Sequence, residues 1–365
     1  MGAFRLFLAA VVALGHWELM VLKPRSIAIS RSTLFGFNAA YAVLFFYLIS
    51  GYLITYTLSR NYEPSKLGVA HFYTNRAVRI FSLYWPLVVV VLLLMPEARH
   101  QFFSVNLLDK FTALFLIGID WRVSFGRPGG QYFLATIPSL QQAWSLGAEL
   151  TFYLMAPLLM RSWKIATTLL LGSLAVRMAF VSTLPGGQHD VWTYTFFPST
   201  LVFFLLGHFA MKSGQHWPAL GTARVGLPLV GLSLIWMTLN HTGRFDSVWF
   251  WAAILLFSAG LPGLFNSTKS GRFLNRIGDL SYPLYLVHLL TIMLFGNYIA
   301  SFTTRLVSGK ALFGFVSSSI FLSAAIALSV AAHYLLEYPM ARAMHATASK
   351  LLKPQRRDRL AFQSS

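Results

Sequence analysis

Phe4 to Met20 reads FRLFLAAVVALGHWELM, and the reading of this stretch decides what kind of molecule the chain makes. An apolar run of this length is a membrane span, and ionisable side chains inside spans are rare unless they face a polar interior or a partner. Arg5 and His16 stand eleven residues apart, about three helical turns and roughly 16 Å of rise, so they share one face. With Arg5 at a water boundary, His16 lies about halfway or a little further across a hydrocarbon layer roughly 30 Å thick. His16 is therefore a candidate for chemistry, set against the plainer reading of a histidine satisfied by a neighbouring helix. The Ala13, Leu14, Gly15 run resembles a signal-peptide cleavage site, but the segment is expected to remain as a true first span.

The rest of the composition agrees with this opening. The chain has 365 residues, 56% hydrophobic and 11% charged, with a mean hydropathy of +0.61, which an ordinary soluble domain does not reach. A net charge of +18 must then sit in short connections and tails, where it reports orientation and contact with anionic lipid head groups. No nucleic-acid module is present. The absence of cysteine removes disulfides, thiol nucleophiles and thiolate metal sites together, and no metal site is expected.

Apolar segments bounded by charge, Gly or Pro fall at roughly 3–22, 37–57, 80–96, 146–162, 165–181, 193–211, 225–240, 248–265, 279–300 and 311–335. The expected fold is an all-α polytopic membrane protein, a bundle of about ten transmembrane helices enclosing a polar cavity. Residues 111–119 are too short to cross as a helix, and the segment 97–145 is expected to fold back onto the membrane surface. With 111–119 not crossing, the side that holds the N-terminus carries about 18 Lys and Arg against about 10 on the other, which places both termini in the cytoplasm. Arg177 falls inside a span. No repeat or linker divides the chain, so residues 1–345 are taken as one domain, with 346–365 as a basic cytoplasmic tail.

Several polar clusters stand inside or beside these spans. Arg76 and Arg79, at i and i+3 in YTNRAVRIFSLYWP (73–86), suit a phosphate or pyrophosphate held by paired hydrogen bonds, and equally a positive-inside flank on lipid phosphates. In WSLGAELTFY (144–153), Ser145, Glu149 and Tyr153 at i, i+4 and i+8 share a face behind Trp144. A carboxylate there suits either the hydroxyls of an external substrate or the cohesion of the bundle. Ser281, Tyr285 and His288 in SYPLYLVH (281–288) again share a face, and two histidine-bearing spans suggest a common polar interior. Ser50 and Gly51 in the second span read first as close helix contact. Glu337, in LLEYP, is expected to pair with an arginine, while His208, His241 and His333 are expected to be structural. The G-x-S-x-G elbow, the phosphate-binding G-x-x-x-x-G-K-[ST] loop, H-E-x-x-H and H-x-x-x-x-D are all missing.

Taken in order, these stretches resemble the acyltransferase-3 family of integral membrane O-acyltransferases, which act on bacterial cell-surface polysaccharides, peptidoglycan, lipopolysaccharide and some secreted small molecules. The resemblance runs from Arg5 to about Pro339. It is carried by Arg5 with His16 eleven residues on, FFYLISGY from Phe45 to Tyr52, and Arg76, Arg79 and Ile80. It continues through Trp144, Ser145, Leu146, Glu149, Phe152 and Tyr153, then Ser281, Tyr282, Tyr285, Leu286 and His288, and closes on Glu337 and Pro339. There are departures. Tyr41, Ala42, Val43 stand where Gly-Val-Asp is usual, Ser82 stands where proline is common, and an SGNH hydrolase-like segment is not expected after the tenth span. Transfer is then expected to finish in the membrane domain or to pass to a separate protein.

The resemblance implies a multi-pass protein of the bacterial inner membrane that moves an acetyl or other short acyl group from cytoplasmic acyl-CoA to a hydroxyl of an extracytoplasmic glycan. Acetyl-CoA or another acyl-CoA is the co-substrate, and no permanently bound cofactor is expected. Membrane lipids and polysaccharide-assembly proteins are the other expected partners. Arg5, Arg76, Arg79 and Ser50 are assigned to the donor, with the pantetheine arm bringing the thioester to His16 as general base. A transient acyl-histidine is chemically open, and direct transfer needs no additional intermediate. Trp144, Ser145, Glu149, Tyr153, Tyr285 and His288 are placed around the acceptor or in networks supporting it. The rival reading is a transporter of lipid-linked sugars or small solutes, which ten spans with intramembrane His, Arg and Glu also suit; the repeated half that such carriers usually show is not found.

Overall fold

A computed structural model describes residues 1–27, 38–125, 137, 140–159, 162–184, 189–239 and 245–352. His241, Arg161 and the tail beyond residue 352 lie outside the described residues. What is described is helical, and the chain is an all-α multi-pass membrane protein.

Among the described residues eight helices are long and apolar enough to cross a membrane: Gly2–Arg25, Ala39–Asn61, Lys66–Leu94, Trp163–Thr183, Val191–His216, Val248–Thr268, Arg272–Leu306 and Lys310–Leu351. The other two expected spans are shorter helices, Trp144–Leu159 with 16 residues and Ala223–Leu239 with 17. At 1.5 Å per residue each is about 25 Å long, a little less than the hydrocarbon thickness. The third span begins much earlier than its apolar run. Ser65 caps it by accepting a hydrogen bond from the Gly68 backbone N–H at 3.0 Å, so Arg76 and Arg79 ride on a continuous 29-residue helix. Ser82, at a position where proline is common in the family, is buried within that helix without interrupting it.

Residues 96–124 form three short helices, Pro96–Ser104, Leu107–Phe115 and Ile119–Ser124. Nine residues rise only about 14 Å, so none of them crosses. The helix Leu107–Phe115 exposes Leu107, Leu108, Phe111 and Phe115 on one side. Its last-turn carbonyls, which a helix end leaves without intrahelical partners, accept from side chains of the third span: Trp85 Nε1 donates to Leu114 at 2.9 Å and the Tyr84 hydroxyl donates to Ala113.

The packing resolves into two compact units. The first comprises 1–49, 139–142 and 209–331. Here the opening helix Gly2–Trp17 continues through a π turn at Glu18–Leu22 and a 3-10 turn at Lys23–Arg25. It lies parallel to the segment 272–306, since Gly2 meets Gly278, His16 meets His288 and Arg25 meets Asn297. Trp17 stacks on Phe321 with centroids 4.6 Å apart, and Phe45 on Phe257 at 4.0 Å. Ala223–Leu239 and Val248–Thr268 approach through small residues: a Cβ added to Gly226 would lie 2.5 Å from the Gly263 Cα, the close contact that drives helix association where lipid offers no hydrophobic contrast.

The second unit comprises 50–138, 143–208 and 332–365. Gly51 of the second span presses on the backbone of the helix Phe197–His216, where an added Cβ would lie 1.9 Å from the Phe204 carbonyl oxygen. Arg177, expected within a span, is completely buried there. Its guanidinium donates to the Thr193 carbonyl and, at 3.4 Å, to that of Ser199, and lies 4.9 Å from the Phe203 ring centroid. Those carbonyls flank the break between the helices His189–Tyr194 and Phe197–His216. A broken helix at membrane depth frees backbone acceptors that water cannot reach, and the arginine supplies the donors.

Candidate active site

In the first unit the opening helix and the helix Ser281–Leu306 bring His16 and His288 together. Nε2 of His288 lies 3.1 Å from Nδ1 of His16, and the ring centroids are 5.0 Å apart. Each ring is also held from its own helix, His16 Nδ1 at 3.1 Å from the Val12 carbonyl and His288 Nδ1 at 3.2 Å from that of Leu284. His288 has no exposed surface, whereas His16 is half-buried. The π turn at Glu18–Leu22 begins two residues after His16; such turns are rare and frequently mark functional positions in helices.

Tyr285 stands one turn before His288, ring centroids 5.9 Å apart. Its hydroxyl donates to the Gln142 carbonyl at 3.3 Å, and the Gln142 amide donates back to the carbonyls of Leu286 at 2.8 Å and Tyr285 at 3.2 Å. Gln142 was not singled out from the sequence. It lies two residues before Trp144, in a short 3-10 turn with no periodicity to mark it. Arg5 is half-buried in the first turn of the opening helix, roughly 16 Å of rise below His16.

In the second unit the polar side chains form a different assembly. The Ser50 hydroxyl donates to Glu149 Oε1 at 2.6 Å and the Tyr153 hydroxyl donates to the same oxygen. Glu149 and Tyr153 meet because i and i+4 are neighbours on a helix; Ser50 comes from the second span, so it joins the Glu149 cluster while Gly51 makes the close helix contact. Arg76 lies over the rings of Tyr153 and Phe72, 5.7 and 5.9 Å from their centroids. It forms no ion pair among the described residues. Arg79 lies 3.6 Å from the buried Glu337, whose other oxygen is 2.7 Å from Nδ1 of His333. Glu337 thus has the arginine partner expected of it. His333 also serves a structural contact, the π turn His333–Glu337 bringing it onto the carboxylate four residues on. His208 does serve a structural contact, Nδ1 lying 2.9 Å from the Thr55 hydroxyl. Trp144 packs edge-on against Tyr194 at 5.1 Å, and Ser145 is buried.

The model of the acyltransferase-3 family, described as an acyltransferase domain, matches residues 1–337. This chain belongs to that family. Among curated relatives, O-acetyltransferase OatA of Staphylococcus aureus (strain NCTC 8325 / PS 47) is 26% identical over 282 residues, which cover 69% of this chain and 46% of the relative. Nodulation protein 10 of Rhizobium leguminosarum bv. viciae is 29% identical over 273 residues, covering 69% of this chain and 71% of the relative. The matched stretch spans about half the length of the OatA relatives. No solved structure matches the chain.

Proposed function

We propose that the chain is an integral membrane O-acetyltransferase that takes an acetyl group from acetyl-CoA and passes it to a hydroxyl of an extracytoplasmic glycan. The observation that carries this reading is the imidazole of His16, set within a span and seated against a second imidazole, in a chain of the acyltransferase-3 family. A neutral imidazole takes the hydroxyl proton as the oxygen attacks the thioester carbonyl. The C–O bond forms, the C–S bond breaks, and the proton passes from the imidazolium to the departing thiolate. General-base assistance of this kind contributes about 10² to 10⁴-fold, and positioning of the two substrates adds to it.

In the second unit, Arg76 and Arg79 are assigned to the phosphates of the donor. Arg76 suits this role because it lies over aromatic faces and forms no ion pair among the described residues, leaving its charge for an incoming anion. Arg79 keeps its geometry through Glu337. Ser50, expected on the donor, instead joins Glu149 and Tyr153 in a hydroxyl–carboxylate cluster of the kind that orders acceptor hydroxyls or supports the residues that do. Arg5 is kept as a further donor-side cation, and Trp144, Ser145 and Tyr285 as supporting residues. The surplus of Lys and Arg on the side that holds the N-terminus supports an inner-membrane location with both termini in the cytoplasm.

The deciding experiment reconstitutes the purified chain in liposomes with radiolabelled acetyl-CoA and a panel of surface glycans on the opposite side. Covalent label on glycan is the expected result. Uptake of glycan or donor without covalent transfer would favour a carrier and remove the enzymatic reading. Comparing surface polysaccharide acetylation in cells with and without the gene then identifies the acceptor.

A further inference from the structure

We infer that His288 is a positioning residue that sets the tautomer of His16, holding the proton on Nδ1 so that the Nε2 lone pair is the one offered to the acceptor hydroxyl. The inference rests on the reading of His16 as the base.

The assignment follows from which partners can only accept. Nδ1 of His288 lies 3.2 Å from the Leu284 carbonyl, and a carbonyl has no proton to give, so in a neutral ring Nδ1 is the protonated nitrogen and Nε2 the acceptor. That acceptor faces His16 Nδ1 at 3.1 Å. Two bare nitrogens do not attract each other, so the shared proton belongs to His16 Nδ1. The Val12 carbonyl, 3.1 Å from the same Nδ1, demands the same placement. Two independent acceptors thus converge on one nitrogen, and a neutral imidazole carries a single N–H. Nε2 of His16 is left as the base.

The arrangement repeats the logic of a base oriented by a second group, with one change that the surroundings explain. A carboxylate in the orienting place would be a net charge buried in an apolar span, at a cost of several kcal/mol. An imidazole presents the same acceptor and stays neutral. When His16 takes the acceptor's proton on Nε2, the cation that forms donates its Nδ1–H to His288 and to the Val12 carbonyl. The proton leaves again from Nε2 to the thiolate, and His288 exchanges none.

His288→Leu removes the acceptor; His288→Gln places an amide oxygen near the position of Nε2. With purified proteins in nanodiscs and acetyl-CoA as donor, His288→Leu is expected to lose about 10²-fold in kcat, with KM for acetyl-CoA changed less than about twofold. His288→Gln should stay within about tenfold of wild type. A purely space-filling role gives the opposite order, Leu at or above Gln, and overturns the inference, as does equal inactivity of two variants that unfold at the wild-type temperature. The second measurement needs no turnover: in protein labelled with ¹⁵N-histidine, with the His16 signals identified by comparison with His16→Gln, Nδ1 should appear protonated and Nε2 bare in wild type and in His288→Gln, and mixed tautomers should appear in His288→Leu. A wild-type His16 protonated on Nε2 overturns the assignment. An inactive wild type with the expected tautomer would instead remove the proposed enzyme and leave this contact standing.

Discussion

The imidazole pair of the first unit and the acid–guanidinium cluster of the second solve one problem in opposite ways. Both put nitrogen and oxygen where apolar side chains would be cheaper. His16 and His288 do so without net charge: the contacts are imidazole to imidazole and imidazole to backbone carbonyl. Arg76, Arg79, Glu149 and Glu337 do so with charge, compensated by a buried carboxylate for Arg79, by hydroxyls for Glu149 and by aromatic faces for Arg76. A buried ion that loses its partner costs several kcal/mol, whereas a neutral ring that loses one costs an unmade hydrogen bond. The proposed chemistry thus gives the first unit the group whose proton moves. The second is built for charges that stay.

This contrast can be broken most directly at His16. His16→Ala should lower kcat by at least about 10²-fold, while the protein still inserts and purifies as wild type, because the ring removed is neutral. Steady-state kinetics beside a thermal melt decide this, and retained turnover in the purified variant removes the proposed chemistry. Arg76→Ala tests the fixed charge of the second unit: KM for acetyl-CoA should rise about tenfold with kcat nearly unchanged, the pattern of a group that binds ground state and transition state alike. Arg79→Ala should do the same and also lower stability, since it strands Glu337 as a buried, half-compensated acid. Glu337→Gln with Arg79→Ala should recover that stability and not the KM; recovery of both would mean that Arg79 serves only the ion pair.

The smallest effect sharpens the comparison outside the spans. Asp120, in the short helix Ile119–Ser124, is fully buried, and burial pushes its carboxyl from 3.8 up to about 6. Nearby backbone N–H groups of Phe197 and Trp121 offset this only in part, and neither carboxyl oxygen has a well-formed hydrogen bond. An acid whose folded pKa is raised favours the folded state when protonated, so the protein should lose stability as pH rises from about 4 through about 6. Asp120→Asn should remove that dependence, raising the melting temperature by a few degrees at pH 8, from an effect of about 2 to 3 kcal/mol, and leaving it unchanged at pH 4. Melts of both proteins across that range check the sign, and equal curves would show that the carboxyl is solvated.

The sequence by itself determined the class of fold and most of the polar inventory. Apolar runs bounded by charge locate helices because a backbone in lipid must satisfy its own hydrogen bonds, and among the described residues every expected segment falls on helix, with a break between Tyr194 and Phe197. Helical spacing likewise put Glu149 beside Tyr153 and His333 beside Glu337. Contacts between helices distant in the chain were decided only by tertiary structure: His16 on His288, 272 residues apart, Ser50 on Glu149, 99 apart, and Gln142 on the Tyr285 turn. Period and hydropathy state which face of a helix is polar, but they do not state which other face it meets. That choice is made by the close approach of Gly2 to Gly278 and of Gly51 to Phe204, where packing sets the register that brings one ring nitrogen within reach of another.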